Sequence, residues 1–117
     1  MNVERGTPVP AVDAEESKAR IDAGALLLDV RENDEWGAGH VAGAVWIPLR
    51  EVQTRRAELA VGEEIVVVCR SGARSAKVTA ALLAWGHDAV NMSGGLQAWV
   101  AAGLPIVTDD DTAGEVI

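Results

Sequence analysis

Ile65-Val66-Val67-Val68-Cys69-Arg70-Ser71-Gly72-Ala73-Arg74-Ser75 runs from four consecutive branched apolar residues into a short loop that carries the chain's only cysteine, two arginines and a glycine. Gly62 breaks the chain just before the apolar run, so the run reads as a strand buried on both faces, as in the middle of a parallel sheet. Past the loop, Val78, Leu82 and Trp85 fall on one stripe, which predicts a helix from about Arg74 to Trp85 with Gly86 as its terminator.

The same alternation extends outward in both directions. Ala25-Leu26-Leu27-Leu28-Asp29-Val30 is a second continuous apolar run, Ala44-Val45-Trp46-Ile47 is a weaker strand stopped by Pro48, and Ala89-Val90-Asn91-Met92 is a fourth. Between them, helices are predicted over Ala14 to Asp22, with Asp13 as N-cap and Glu16 three residues on, over Glu51 to Leu59, with Val52 and Leu59 inward, and over Leu96 to Ala101, closed by Gly103 and Pro105. Strands alternating with helices define an α/β fold: a small parallel β-sheet with helices on both faces and right-handed crossovers. Residues 1–10, with Pro8 and Pro10, read as an extended arm, residues 11–108 as the domain, and residues 109–117 as a solvated acidic tail bearing Asp109, Asp110, Asp111 and Glu115.

Composition bounds the function. A chain of 117 residues, 49% apolar and 24% charged, is one ordinary globular domain. At this length roughly two-thirds of the unfolded surface is buried, enough for a core without disulfides or a structural metal. One thiol can form neither an internal disulfide nor a zinc site, and no cofactor or metal is expected. Phe and Tyr are absent and Trp numbers four, so the core is expected to be mostly Ala, Val and Leu, with Trp36, Trp46, Trp85 and Trp99 mainly inside it. Ten Lys and Arg against 18 Asp and Glu give a net charge of -8, the wrong sign for a nucleic-acid binder. The N-terminus has no apolar signal-like run, and no stretch approaches the ~18 apolar residues of a membrane span, so a cytoplasmic protein, monomeric and off the membrane, is expected.

The junction between a buried strand's carboxyl end and a helix is where open α/β sheets bind ligands. A free cysteine there is commonly just a small buried hydrophobe. Its neighbours point to reactivity instead. Arg70 and Arg74 place guanidinium groups near the sulfur, Gly72 allows a tight backbone, and the helix aims free N–H groups and its positive dipole end at the loop. Opposite charges and donated hydrogen bonds favour a thiolate over a thiol, and the same amides would hold an anion.

The segment Cys69 to Ser75, C-R-S-G-A-R-S, resembles the active-site loop of rhodanese-type sulfurtransferases, and three further segments agree in order. Asp29-Val30-Arg31-Glu32 is similar to the family's D-V-R-x box. Glu35-Trp36-Gly37-Ala38-Gly39-His40-Val41-Ala42-Gly43-Ala44, running on to Ile47-Pro48, is similar to its E-aromatic-x-x-G-H-I-x-G-A segment, and Gly94-Gly95-Leu96-Gln97-Ala98-Trp99 to its closing G-G-x-x-x-W. The resemblance covers the chain from about Ala11 to Pro105. It implies a rhodanese-like fold and a persulfide mechanism. Cys69 would be the nucleophile attacking the outer sulfur of thiosulfate or another persulfide donor, and a thiol or sulfur-carrier acceptor would then take the sulfur. On the same basis the N–H groups of Arg70, Ser71, Gly72, Ala73 and Arg74 would cradle the persulfide, and the Arg70 and Arg74 side chains would bind the donor's oxygens.

Asp29 and Arg31 are expected to form an ion pair that holds the loop rather than to act on substrate, His40 to organise a loop by hydrogen bonding, and Gly94-Gly95 to permit the turn into the last helix. His87 is assigned no role. Two other functions compete. A cysteine phosphatase carries five residues between its Cys and Arg, whereas four stand here, Arg70 to Ala73, which offers one fewer amide and a narrower cup. A non-catalytic, partner-binding module of the same family usually lacks the Cys, which is present with both arginines.

Overall fold

The computed structural model describes residues 9–117. Five parallel strands form one sheet in the order β1-β5-β4-β2-β3: β1 Ala11–Val12, β2 Leu26–Asp29, β3 Val45–Trp46, β4 Glu64–Val68 and β5 Asp88–Met92. Among the described residues four α-helices accompany them: α1 Ala14–Asp22, α2 Asn33–Ala38, α3 Ala73–Ala84 and α4 Gly95–Ala101.

β4 sits in the middle because it can be buried on both sides. Its side chains alternate: Ile65 and Val67, with Cys69 beyond them, face α3 together with Leu28, Val30, Ile47, Val78, Leu82 and Ala89. Val66 and Val68 point the other way, into a second cluster with Leu27, Met92, Leu96 and Trp99 beneath α1 and α4. Full burial of each such side chain contributes about 1.5–3 kcal/mol, and all four valine and isoleucine side chains of β4 are at most 1% exposed. The strand therefore holds a fixed height in the sheet, and Cys69 emerges at its carboxyl end beside the ends of β2 and β5, Val68 pairing with Asp29 and Val67 with Asn91.

α1 starts as expected, the Asp13 carboxylate accepting the Glu16 amide at 2.8 Å. Three expectations are corrected. The helix predicted over Glu51–Leu59 is instead two separate 3₁₀ turns, Leu49–Glu51 and Arg56–Glu58. Only Val52 and Leu59 are buried there, the Thr54 hydroxyl donates back to the Glu51 carbonyl, and Arg55 pairs with both Glu51 and Glu58, so local polar bonds outweigh a sparse apolar stripe. α2 forms where no helix was predicted, nucleated by a reciprocal capping box between Glu32 and Glu35. Of the four tryptophans only Trp99 is fully buried; Trp36, Trp46 and Trp85 are half-buried.

The proposed arm falls largely on residues 1–8, outside the described residues. Beyond it, Ala11 and Val12 pair with Asn91 and Met92 at the sheet edge. At the other end the carboxylates of Asp109, Asp110, Asp111 and Glu115 are exposed, but their backbone is pinned to the domain: His40 and Val107 exchange two bonds at 2.8 Å, and the Glu115 amide donates to Ala38. Among the described residues no helix is long and apolar enough to cross a membrane.

Candidate active site

The turn from β4 to α3 wraps the backbone around one atom. Cys69 Sγ accepts the Gly72 amide at 3.1 Å, the Ser75 amide at 3.4 Å and the Ser75 hydroxyl at 3.3 Å. Gly72 makes this possible with φ at +105°, a left-handed conformation, and a Cβ there would also stand 3.3 Å from the Gly94 nitrogen. Ser75, wholly buried in the first turn of α3, aims its hydroxyl back at the sulfur. Burial is the largest single influence on the thiol and pushes it up, yet the Ser75 hydroxyl and the amides of Ser75, Gly72 and Ser71 together outweigh it. The Cys69 thiol is held below its ordinary range.

The loop is braced from behind by α4. Its Leu96 amide donates to the Cys69 carbonyl at 2.9 Å and its Gln97 amide to the Arg70 carbonyl at 3.0 Å. In a trans peptide C=O and N–H point oppositely, so binding these carbonyls to α4 turns the Arg70 and Ser71 amides away from it and towards the loop's interior. Gly95 permits the approach: a Cβ there would lie 2.5 Å from the Arg70 oxygen and 2.6 Å from the Cys69 oxygen.

The two arginines take different partners. Arg74 grips Glu35 with both terminal nitrogens, at 2.7 and 2.8 Å, tying α3 to α2. The Arg74 guanidinium holds the Glu35 carboxyl down to about 2, helped by the Glu32 amide, and Glu35 in turn raises Arg74. Arg70 is exposed, its Nε donating to the Ile117 carbonyl at 2.9 Å, and with the Gln97 amide turned so that its oxygen faces Arg70 both terminal nitrogens lie 3.2 Å from that oxygen. Neither guanidinium hydrogen-bonds the sulfur. The thiol is lowered chiefly by uncharged donors.

Asp29 and Arg31 form a buried ion pair at the end of β2, 1% and 0% exposed, the guanidinium binding both carboxylate oxygens at 2.8–3.1 Å. Arg31 also donates to the carbonyls of Glu35 and Gly39, at 3.2 and 2.7 Å, and so holds the C-terminal turn of α2. His40 donates from Nδ1 to the Trp36 carbonyl at 2.8 Å, stacks on the Trp36 ring at 3.7 Å and presents Nε2 to Asp109 at 3.3 Å. These three residues shape the segment that carries Glu35. Ser75, Glu35 and Asn91, whose amide donates to the Gly72 carbonyl at 3.1 Å, belong to the site as well. Ser75 left a signal in the sequence as a small hydroxyl residue on the helix turn that faces the loop, and Glu35 as the first residue of the E-aromatic segment; Asn91 left none.

A single thiol held below its ordinary range by a cup of amides, at the carboxyl end of a central parallel strand, defines an α/β protein whose candidate site is a strand-to-helix turn around one cysteine. The comparisons carry this further. Residues 13–102 match the family described as Rhodanese-like domain, and the chain belongs to that family. It is 37% identical over 86 residues to a sulfurtransferase of Allochromatium vinosum, covering 73% of this chain and 80% of that one. It is 37% identical to thiosulfate sulfurtransferase 18 of Arabidopsis thaliana, covering 88% and 87% of the two chains. A rhodanese-related protein of Thermoplasma volcanium superposes with a TM-score of 0.81 at 31% identity, over 86% of this chain and 99% of that one. The chain spans about half the length of two other curated relatives, 54% and 46%.

Proposed function

We propose that Cys69 carries a sulfane sulfur from thiosulfate, or another persulfide donor, to a thiophilic acceptor. In the first half-reaction the Cys69 thiolate attacks the outer sulfur of thiosulfate. The donor's S–S bond breaks, sulfite leaves with the electron pair, and Cys69 becomes a persulfide. In the second, an acceptor nucleophile attacks the outer sulfur, the new S–S bond breaks, and the Cys69 thiolate returns. Sulfur moves without any external oxidant or reductant, so one thiol is enough.

The observation that carries this reading is the convergence of three donors on Cys69 Sγ. They favour the attacking thiolate, and the amides from Arg70 to Arg74 stabilise the charge that the persulfide's outer sulfur acquires when it departs or arrives. Cys69 is only 1% exposed, which favours a small donor; loading then lengthens the side chain by one S–S bond, about 2 Å, and brings the transferable sulfur towards a bulkier acceptor. Arg74 has its charge balanced by Glu35, so the Arg70 guanidinium, exposed and paired with no Asp or Glu side chain among the described residues, is the charge available to the donor's oxygens. Glutathione, thioredoxin or a sulfur-carrier protein would serve as acceptor, in the cytoplasm, where a lone thiol stays reduced.

Intact-mass measurement after incubation with thiosulfate tests the proposal. Wild-type protein gains one sulfur, which cyanide then removes, and Cys69→Ser gains none while keeping its fold. Uptake that survives in Cys69→Ser, or no uptake by the wild type, overturns it.

A further inference from the structure

We propose that Asn91 is a positioning residue for the Cys69 cup, kept at a cost to the stability of the sheet; this rests on the sulfurtransfer reading above. Asn91 lies on β5, between Ala11 of β1 and Val67 of β4. With a two-residue period it shares the face of Ala89, which packs in the apolar cluster against α3. An apolar side chain is what that position calls for. Asn91 is instead a buried amide, 7% exposed, and its Oδ1 has no hydrogen-bond partner among the described residues. Rotating the amide does not help, because it would set that oxygen against the Gly72 carbonyl that Nδ2 now meets at 3.1 Å. Leaving a buried acceptor unsatisfied is unfavourable, and the contact made in exchange is one the Gly72 carbonyl does not need, since that oxygen already accepts the Ala76 amide at 3.1 Å as the first bond of α3.

What the amide does is fix a peptide plane. The Gly72 carbonyl belongs to the Gly72–Ala73 peptide, and drawing its oxygen towards β5 turns the Ala73 N–H to the opposite side, into the cup. It also holds Gly72 in the left-handed conformation from which its own N–H reaches Cys69 Sγ at 3.1 Å. Asn91 touches neither the sulfur nor the place of the donor; it acts through Gly72.

The test compares Asn91→Leu and Asn91→Ala with the wild type in thermal unfolding, in the rate of sulfur loading from thiosulfate read by intact mass, and in the pH midpoint of Cys69 alkylation. Asn91→Leu unfolds at the same or a higher temperature, loads sulfur about tenfold more slowly and is alkylated with a higher midpoint. Asn91→Ala, which leaves a cavity, shows the same kinetic loss whatever its stability. Wild-type loading and midpoint in both variants overturn the inference, as does an Asn91→Leu that is less stable but reacts normally. If the wild type takes up no sulfur, the sulfurtransfer reading fails, and the alkylation midpoints alone decide the role of Asn91.

Discussion

Ser75→Ala isolates the one side-chain hydroxyl among the donors on Cys69 Sγ. It removes the bond at 3.3 Å and leaves the Gly72 and Ser75 amides, at 3.1 and 3.4 Å, in place. Hydrogen bonds to charged groups contribute about 1.5–3 kcal/mol, and sulfur acceptors belong at the lower end, so the thiolate is expected to lose roughly 1.5 kcal/mol, about a tenfold fall in its population at a pH below the midpoint. A more basic thiolate is also a better nucleophile, with a Brønsted slope of about 0.4–0.5, which returns about threefold of that loss. The alkylation rate at a pH below both midpoints should therefore fall only about threefold, the high-pH plateau should rise about threefold, and the midpoint should move up. Iodoacetamide is a suitable probe because Cys69 is the only thiol in the chain. Burial of the sulfur scales every rate alike and leaves the midpoint untouched. Arg74→Ala provides the control: its charge acts on the sulfur through space, not through a hydrogen bond, and should move the midpoint less. A midpoint unchanged in Ser75→Ala, or one that moves further in Arg74→Ala, would refute the assignment of thiolate stabilisation to uncharged donors.

Two further outcomes concern the ion pairs that frame the loop. Glu35 is lowered from 4.5 to about 2 first by Arg74, so the pair's contribution is complete above about 4.5 and is lost as pH falls through about 2; Glu35→Gln should flatten the stability profile across that window in urea titrations and cost about 1–2 kcal/mol at neutrality, allowing for solvent at the partly exposed Arg74. Arg31→Ala strands the Asp29 carboxylate in a site 1% exposed and should cost about 3–5 kcal/mol in chemical denaturation, most of which Asp29→Leu with Arg31→Met should recover.

The frame of this fold is legible in the sequence because burial on two faces writes a distinctive pattern. Ile65 to Val68 and Leu26 to Leu28 are continuous apolar runs, and Cys69 at the end of the first marks the loop. What stayed hidden depends on which distant groups meet. Arg74 and Glu35 are 39 positions apart, and nothing local to C-R-S-G-A-R-S says that its second arginine is taken by a carboxylate of a short capped helix. Asn91 is hidden for the opposite reason: in Ala89-Val90-Asn91-Met92 it reads as one polar residue in a strand, and its meaning lies in the carbonyl of Gly72, 19 positions earlier. Val52 and Leu59 sit seven apart and mimic a helical stripe, whereas Arg55 and Thr54 between them settle the backbone as turns.

The placement of charge then follows a division of labour. Three arginines around α2 are committed to structure: Arg31 to Asp29 and the C-terminal turn of α2, Arg74 to Glu35, Arg50 to Glu32. These pairs fix α2 to β2 and to α3, while α4 fixes the carbonyls of Cys69 and Arg70 from the other side. The loop is thereby held on both flanks, and in the proposed transfer its amides would not need to reorganise when charge moves from sulfur to sulfur. In the same proposed transfer Arg70, exposed and paired with no Asp or Glu side chain among the described residues, would meet the donor's oxygens and release them with sulfite, leaving the sulfur to the amides.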